Sequence, residues 1–322
     1  MQKSFASVVQ FPYLSSKKFD TKPVTDLQIL QLGDCWEHIF KYLTPSDYVN
    51  LRCVSRGFNI VIQPKRLLLV WNIQQLQKLQ DVSRELFVSC QQKLRKIRGV
   101  TQLEQLLFFP NLTEIKFNKH FPSNNKKQRR QLRCGFIPKY VKIIHFGGFN
   151  HFIQPGAIPL NIVEMYFDDV FNQYLDPLIF REFVCLKILK LGKSFNNANK
   201  LFDPTTFPRS LEHLEINSVY FNEDLAIFLP NLPNLTTLLL GRGFTLPIRF
   251  LPHNIRYLIV SEIYNCDLID CIINSNLIYI KMGKGYKHYI DPEKLSRKIV
   301  LNYDIESYKE ILYQMWLNKF KH

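Results

Sequence analysis

An α/β solenoid with one parallel strand per repeat is the fold class this sequence predicts, and three observations predict it. An apolar triplet at offsets 0, 3 and 5 recurs eight times: Leu112/Ile115/Phe117, Val141/Ile144/Phe146, Ile162/Met165/Phe167, Leu186/Leu189/Leu191, Leu211/Leu214/Ile216, Leu235/Leu238/Leu240, Ile255/Leu258/Val260 and Leu277/Ile280/Met282. The steps between first members are 29, 21, 24, 25, 24, 20 and 22 residues. A Phe-Asn pair follows the triplet at Phe149-Asn150, Phe171-Asn172, Phe195-Asn196 and Phe221-Asn222, with a Phe244-Thr245 variant. Positions 3 and 5 lie two apart, so on a strand they face one side. One coil of this size cannot bury its apolar residues alone, so stacked coils share a core and pair their strands in parallel.

Each element of the coil has a physical reason. Position 0 stands where the chain bends into the strand, often just after a proline (Pro138, Pro159, Pro208, Pro233, Pro252). Proline suits that bend because no ladder donor is yet needed. The Phe after the strand is expected to plug the coil interior, and the Asn to hydrogen-bond the turning backbone. The period and spacing are of the leucine-rich-repeat type. Phe149-Asn150 through Pro159 and Phe171-Asn172-Gln173-Tyr174-Leu175-Asp176-Pro177 resemble FNIP repeats, a relative of the leucine-rich repeat. That resemblance covers roughly residues 136–260. The repeats are expected over 109–302.

Ahead of them, residues 1–25 lack periodicity and read as a flexible leader broken by Pro12 and Pro23. From Asp34, a plausible N-cap, Trp36, Ile39, Phe40 and Leu43 follow at helical spacing. Thr44-Pro45 ends that helix and opens a second carrying Tyr48, Leu51 and Val54. Ser55 can cap a third with Phe58, Val61 and Ile62. Three short helices over 26–64 are too small to hold a core alone and are expected to complete themselves against a partner. The stretch resembles an F-box at Asp34, Ile39-Phe40, Tyr42-Leu43, Pro45, Asp47, Leu51, Val54, Ser55-Arg56 and Phe58. It departs from the family where the opening Leu-Pro pair reads Gln31-Leu32, and where Phe58 stands in place of a frequent Trp.

Residues 65–108 are expected to be a connector and N-terminal cap. Arg66–Ile73 fits a strand or the start of a helix, Asn72–Leu94 has helical spacing, and Leu103, Leu106 and Leu107 suggest a short helix. At the far end, Asp304 can cap a helix whose stripe is Ile305, Tyr308, Ile311/Leu312, Met315/Trp316 and Phe320. A capping helix over 303–322 that closes the last coil is expected, with partner binding as the other use of such a stripe.

Composition bounds the functional classes. The chain has 46% hydrophobic and 21% charged residues, an ordinary globular balance with room for two domains. No run approaches the ~18–20 apolar residues of a membrane span, and Met1–Ser16 has no sustained apolar core of a secretory signal. The 7 cysteines include no C-x-x-C pair, which fits reduced thiols and an intracellular location. Net charge is +15, yet residues 65–135 alone carry 15 basic and 4 acidic side chains. That excess includes Lys126-Lys127-Gln128-Arg129-Arg130-Gln131-Leu132-Arg133. This run reads either as a solvated loop or as a nuclear-targeting or nucleic-acid patch within 119–133. It lacks the interleaved aromatics that stack bases, so nucleic acid is an unlikely partner.

No motif for catalysis or cofactor binding stands out. Cys266 and Cys271 lack the second pair a structural zinc needs, and Gly147-Gly148 leads into no phosphate-loop pattern. No H-E-x-x-H or G-x-S-x-G occurs. The expectation is a non-enzyme without cofactor or metal. Solenoids bind partners along the strand positions that alternate with the core. At offset 4 these are Lys116, His145, Tyr166, Lys190, Glu215, Leu239, Ile259 and Lys281, and at offset 2 they include His213, Tyr257 and Tyr279. A concave face carrying His145, Tyr166, Lys190, Glu215, Leu239, Tyr257, Ile259 and Tyr279, with its apolar members exposed, suits a protein better than a phosphate backbone. These residues equally fit an ordinary sheet surface.

The two resemblances together imply a substrate-receptor subunit of a cullin-type (SCF) ubiquitin ligase. The F-box would dock on a Skp-family adaptor, and through it cullin, by way of Leu32, Trp36, Ile39, Phe40, Leu43, Leu51 and Val54. The repeats would hold an unidentified target protein. The alternatives are a nuclear or nucleic-acid-associated protein acting through 119–133, and a repeat scaffold whose F-box has decayed.

Overall fold

The computed structural model describes residues 71–74, 76–77, 84–121, 132, 134–283, 286, 288 and 299–302. The chain divides into two units, Met1–Gln63 and Pro64–His322, and the described residues all belong to the second. The expected leader, the three-helix segment 26–64, the basic residues of 126–133 and the helix at 303–322 lie outside them.

The described residues build one open parallel sheet of eleven strands whose spatial order is their order in the chain. The strands are β1 (Trp71–Asn72), β2 (Lys96–Val100), β3 (Glu114–Phe117), β4 (Ile143–His145), β5 (Glu164–Tyr166), β6 (Ile188–Leu191), β7 (His213–Ile216), β8 (Thr237–Leu240), β9 (Tyr257–Ile259), β10 (Tyr279–Lys281) and β11 (Val300–Asn302). Among the described residues helices are few and short: α1 (Arg84–Lys93), α2 (Pro177–Phe180) and α3 (Ile269–Ile273), with 3-10 turns such as Leu103–Phe108. An unclosed parallel sheet with one strand per coil is consistent with a solenoid-like repeat fold.

Register is where the eight triplets become structure. Their middle members pair across neighbouring strands without a slip: Ile115 with Ile144, Ile144 with Met165, Met165 with Leu189, and so on through Leu214, Leu238, Leu258 and Ile280. All eight middle members are fully buried. A slip of one residue would turn every one of them outward, so the fixed offset specifies the pairing.

The sheet also runs further toward the N-terminus than the triplets do. Strands β1 and β2 fall in the 65–108 stretch, with Trp71 paired to Ile97 and Ile97 to Ile115. In β2 the repeat reads Leu94/Ile97/Val100, one residue longer than the triplet, because register shifts between Arg98 and Val100. Gly99, at φ +72°, takes up the extra residue in a left-handed conformation that favours glycine.

Behind the sheet runs a column of aromatic rings. Phe121, Phe149, Phe171 and Phe195 follow at centroid separations of 6.2, 6.5 and 6.2 Å. Phe202 lies between Phe195 and Phe221, and the column goes on through Phe244 to Tyr264. The expected plugs are thus in place. The asparagines beside them do something other than expected. Asn150 Oδ1 accepts the Asn172 backbone N–H at 2.8 Å, Asn172 Oδ1 accepts those of Asn196 (2.8 Å) and Ala198 (3.1 Å), and Asn222 Oδ1 accepts that of Thr245 (2.9 Å). Each of these three amides ties its coil to the next instead of closing its own turn, because stacked strands bring the following coil's backbone to about 4.8 Å. Asn196 Nδ2, by contrast, donates to Asn199 Oδ1 within its own coil at 2.7 Å.

Coils approach so closely after the strand that a side chain there is sometimes impossible. A Cβ on Gly192 would stand 2.5 Å from the Asp168 carbonyl carbon, and one on Gly241 2.5 Å from that of Asn217.

Phe171→Ala is expected to lower unfolding free energy by about 3–5 kcal/mol, as for a buried aromatic. Asn172→Ala leaves two backbone donors without their side-chain acceptor and should cost about 1–3 kcal/mol. Urea denaturation checks both, and a smaller loss for Phe171→Ala than for Asn172→Ala would contradict the packing order described.

Candidate functional site

Because successive strand residues alternate sides, the positions between the core residues form a continuous outward face across the sheet. The structure brings the expected row together. Glu114, Ile143, Glu164, Ile188, His213, Thr237, Tyr257 and Tyr279 align on neighbouring strands, as do Lys116, His145, Tyr166, Lys190, Glu215, Leu239 and Ile259.

Over β3–β7 this face is a charged and aromatic network. The His145 ring stacks on Tyr166 at 4.4 Å and 10° between planes. The Tyr166 hydroxyl donates to the Glu164 carboxylate at 2.6 Å, and Lys190 lies 5.8 Å from the Tyr166 ring centroid. Lys190 Nζ is 2.9 Å from Glu215 Oε2, and His213 Nε2 is 3.7 Å from the same oxygen. Burial, then the bond to Glu164, pushes the Tyr166 phenol above its ordinary range. Burial, then the Lys116 charge, lowers the pKa of the His145 imidazole from its ordinary value. For Glu215, burial raises the pKa, but the His213 contact and the Lys190 ammonium outweigh it and bring the carboxyl down to about 2. The network is therefore a preset pattern of acceptors, a cation and a stacked aromatic pair.

Over β8–β10 the face is largely apolar and, apart from the half-buried Tyr257 and Lys281, closed. Leu239, Ile259 and Tyr279 are 7, 8 and 7% exposed and form a small cluster of their own against Tyr257 and Ile278. The expectation that these three are exposed is corrected: large apolar side chains in register on adjacent strands pack on one another. Tyr257, Ile143, Tyr166 and Ile188 are half-buried.

Sequence reasoning missed a second set of side-chain ties, at the strand entrances. Asn111, Asn234, Asn254 and Asn276 each stand immediately before a triplet. Their amides donate to carbonyls of the preceding coil, at Gln92 (2.8 Å), Arg209 (3.0 Å), Pro233 (2.5 Å) and His253 (3.0 Å). The signal was the recurrence of Asn before the first apolar member. Along this edge lies an open polar groove lined by Lys187, Ser210, Glu212, Asn234, Thr236, Asn254 and Arg256. Its groups are committed internally: Lys187 pairs with Glu212 at 2.6 Å, and Ser210 donates to the Leu186 carbonyl.

Among the described residues, Cys134, Cys185, Cys266 and Cys271 are free thiols. Cys266 Sγ meets the Thr245 carbonyl, and burial pushes the Cys271 thiol up to about 11, far from thiolate formation. Among the described residues no group of three His, Cys, Asp or Glu is placed to hold a metal ion. Among them, too, no helix is long and apolar enough to cross a membrane. The expected adaptor-docking residues Leu32, Trp36, Ile39, Phe40, Leu43, Leu51 and Val54 lie outside the described residues.

Because the folded pKa of Glu215 is depressed, its contribution to stability is complete above about pH 4.5. It is lost as pH falls from there toward 2. Across that window the parent chain should lose on the order of 2–3 kcal/mol more than Glu215→Gln, by the conversion of about 1.4 kcal/mol per unit. Denaturation at a series of pH values measures this, and parallel acid limbs would contradict the assignment.

Comparison with known proteins adds the segment outside this face. Residues 29–69 match the F-box domain. No relative was found among curated proteins. F-box proteins are typically non-catalytic substrate adaptors, the domain generally binding Skp-family adaptors, so the match suggests in general terms a role as a ubiquitin-ligase adaptor.

Proposed function

We propose that this chain is a substrate-recognition subunit of a cullin-type (SCF) ubiquitin ligase. The observation that carries the reading is the F-box match at residues 29–69, followed in the chain by a parallel repeat sheet with a continuous outward face. The F-box docks on a Skp-family adaptor through the apolar positions Leu32, Trp36, Ile39, Phe40, Leu43, Leu51 and Val54, some of which also fill its own interior. The repeats are of FNIP type, and their outward face, centred on His145, Tyr166, Lys190 and Glu215, holds a target protein.

The mechanism is proximity. A tethered target meets the ubiquitin-charged enzyme at raised effective concentration, so the chain accelerates transfer without performing chemistry itself. Aromatic and paired-charge groups suit recognition of a folded or extended protein surface, with the stacked His145–Tyr166 pair as an anchor and the charges setting register. Such a subunit acts inside the cell, where its cysteines stay reduced.

The purified chain is expected to co-elute with a Skp-family adaptor, and Ile39→Asp with Leu43→Asp to abolish co-elution while the sheet keeps its circular-dichroism signal. Undiminished co-elution of the double variant would reject the docking assignment.

A further inference from the structure

The outward face carries unbalanced charge at its β2–β3 end. Arg98 pairs in register with Lys116, and Lys116 in turn with His145. Both cations are exposed, and among the described residues neither forms an ion pair with a carboxylate. Lys96 and Lys190 on the same face are matched, to Glu114 at 2.8 Å and to Glu215 at 2.9 Å. Glu164 accepts from the Tyr166 hydroxyl. Like charges directly opposite on neighbouring strands repel across ~4.8 Å. The free chain therefore carries a repulsion between Arg98 and Lys116 that an anion lying between them would relieve. The chain's charge excess is concentrated in the same part of the sequence, residues 65–135, which contains both strands.

Beside the cations the face changes character. His145 and Tyr166 stack at 4.4 Å, and Ile143 lies half-buried on the same strand as His145. From β2 to β5 is three strand spacings, about 14 Å, which an extended chain crosses with about four or five residues. Two cations followed along the row by a stacked aromatic pair thus match a short stretch with carboxylates toward one end and an apolar side chain toward the other. A nucleic-acid backbone fits worse. Its phosphates need a longer run of cations, and they would meet the Glu114 and Glu164 carboxylates two residues back along β3 and β5.

We propose that the outward face of β2–β5 takes an acidic, extended segment of the target protein, with its carboxylates on Arg98 and Lys116 and an apolar side chain against the His145–Tyr166 stack. The inference rests on the reading of this face as the target-binding surface and names the chemistry of the target there. Adaptor docking concerns other residues and is read by a separate co-elution.

Fluorescence anisotropy of the full chain tests it, with labelled peptides of equal length that alternate Glu-Phe, Gln-Phe or Lys-Phe, and with a labelled oligothymidylate. The Glu-Phe peptide should bind, more weakly as NaCl rises from ~0.05 to ~0.3 M, and the other two peptides should bind worse. Arg98→Gln with Lys116→Gln should weaken Glu-Phe binding about fivefold to twentyfold, the scale of two exposed ion pairs. Its urea midpoint should hold or rise, because a repulsion is removed. Lys142→Gln with Arg209→Gln takes the same charge from exposed positions before β4 and β7 and should leave binding unchanged. Should the Arg98/Lys116 variant lose its fold, the peptide comparison on the parent chain decides alone. Equal binding of the Glu-Phe and Lys-Phe peptides, or an equal loss from the Lys142/Arg209 variant, overturns the proposal. Tighter binding of oligothymidylate that Arg98→Gln with Lys116→Gln abolishes overturns it too, by assigning these cations to nucleic acid. Failure here with adaptor co-elution intact rejects the acidic segment and leaves the adaptor role standing.

Discussion

In-register parallel pairing is the constraint on which the rest of this structure depends. Each strand is only two to five residues long, and none has a hydrophobic face large enough to stand alone. What makes them stable is that Ile144, Met165, Leu189, Leu214, Leu238 and Leu258 stack directly above one another, so each coil's interior is completed by its neighbours. The aromatic column and the asparagine ties repeat the same logic at two further positions of the coil. The pairing, most of the aromatic column and most of the asparagine ties thus run from one coil to the next, and the outward face is regular because the inward one is.

That regularity explains how the face acquires its chemistry. Pairing brings offset-4 residues from separate coils side by side, and so assembles Tyr166, Lys190 and Glu215 from positions some 24 residues apart in the chain. Charge pairs on such a face are partly shielded from water, which lets Lys190 and His213 bring the Glu215 carboxyl well below its usual range. A network of this kind is costly to dismantle and cheap to re-specify, since outward side chains can change without disturbing the core behind them. The F-box match at residues 29–69 suggests an adaptor role in general terms, and a surface of this kind is what the proposed target-binding role requires.

The inward half of the fold was legible because its signal is a fixed spacing of like residues. Leu211, Leu214 and Ile216 declare a strand with one buried side whatever surrounds them. Strand β2 was not legible, because the bulge at Gly99 stretches Leu94/Ile97/Val100 by one residue and breaks the spacing. Tyr264 escaped notice as a column member because a tyrosine takes the place of phenylalanine there. The asparagines were readable as turn residues, yet their role of tying one coil to the next depends on a distance that no single coil contains. The outward face was legible as a row of residues but not in its exposure: nothing in Leu239 or Ile259 alone distinguishes a covered position from an open one.

The account rests on coils that are interchangeable in phase, and deleting one coil tests this directly. Removing residues 186–210 joins Cys185 to Leu211, restores the spacing of the triplets and leaves Asn172 facing Asn222. A deletion of half that length from the same point destroys the phase. Unfolding followed by circular dichroism should show a cooperative transition for the whole-coil deletion and none for the half-coil deletion. Equal behaviour of the two chains would contradict the claim that register between neighbouring coils holds the structure together.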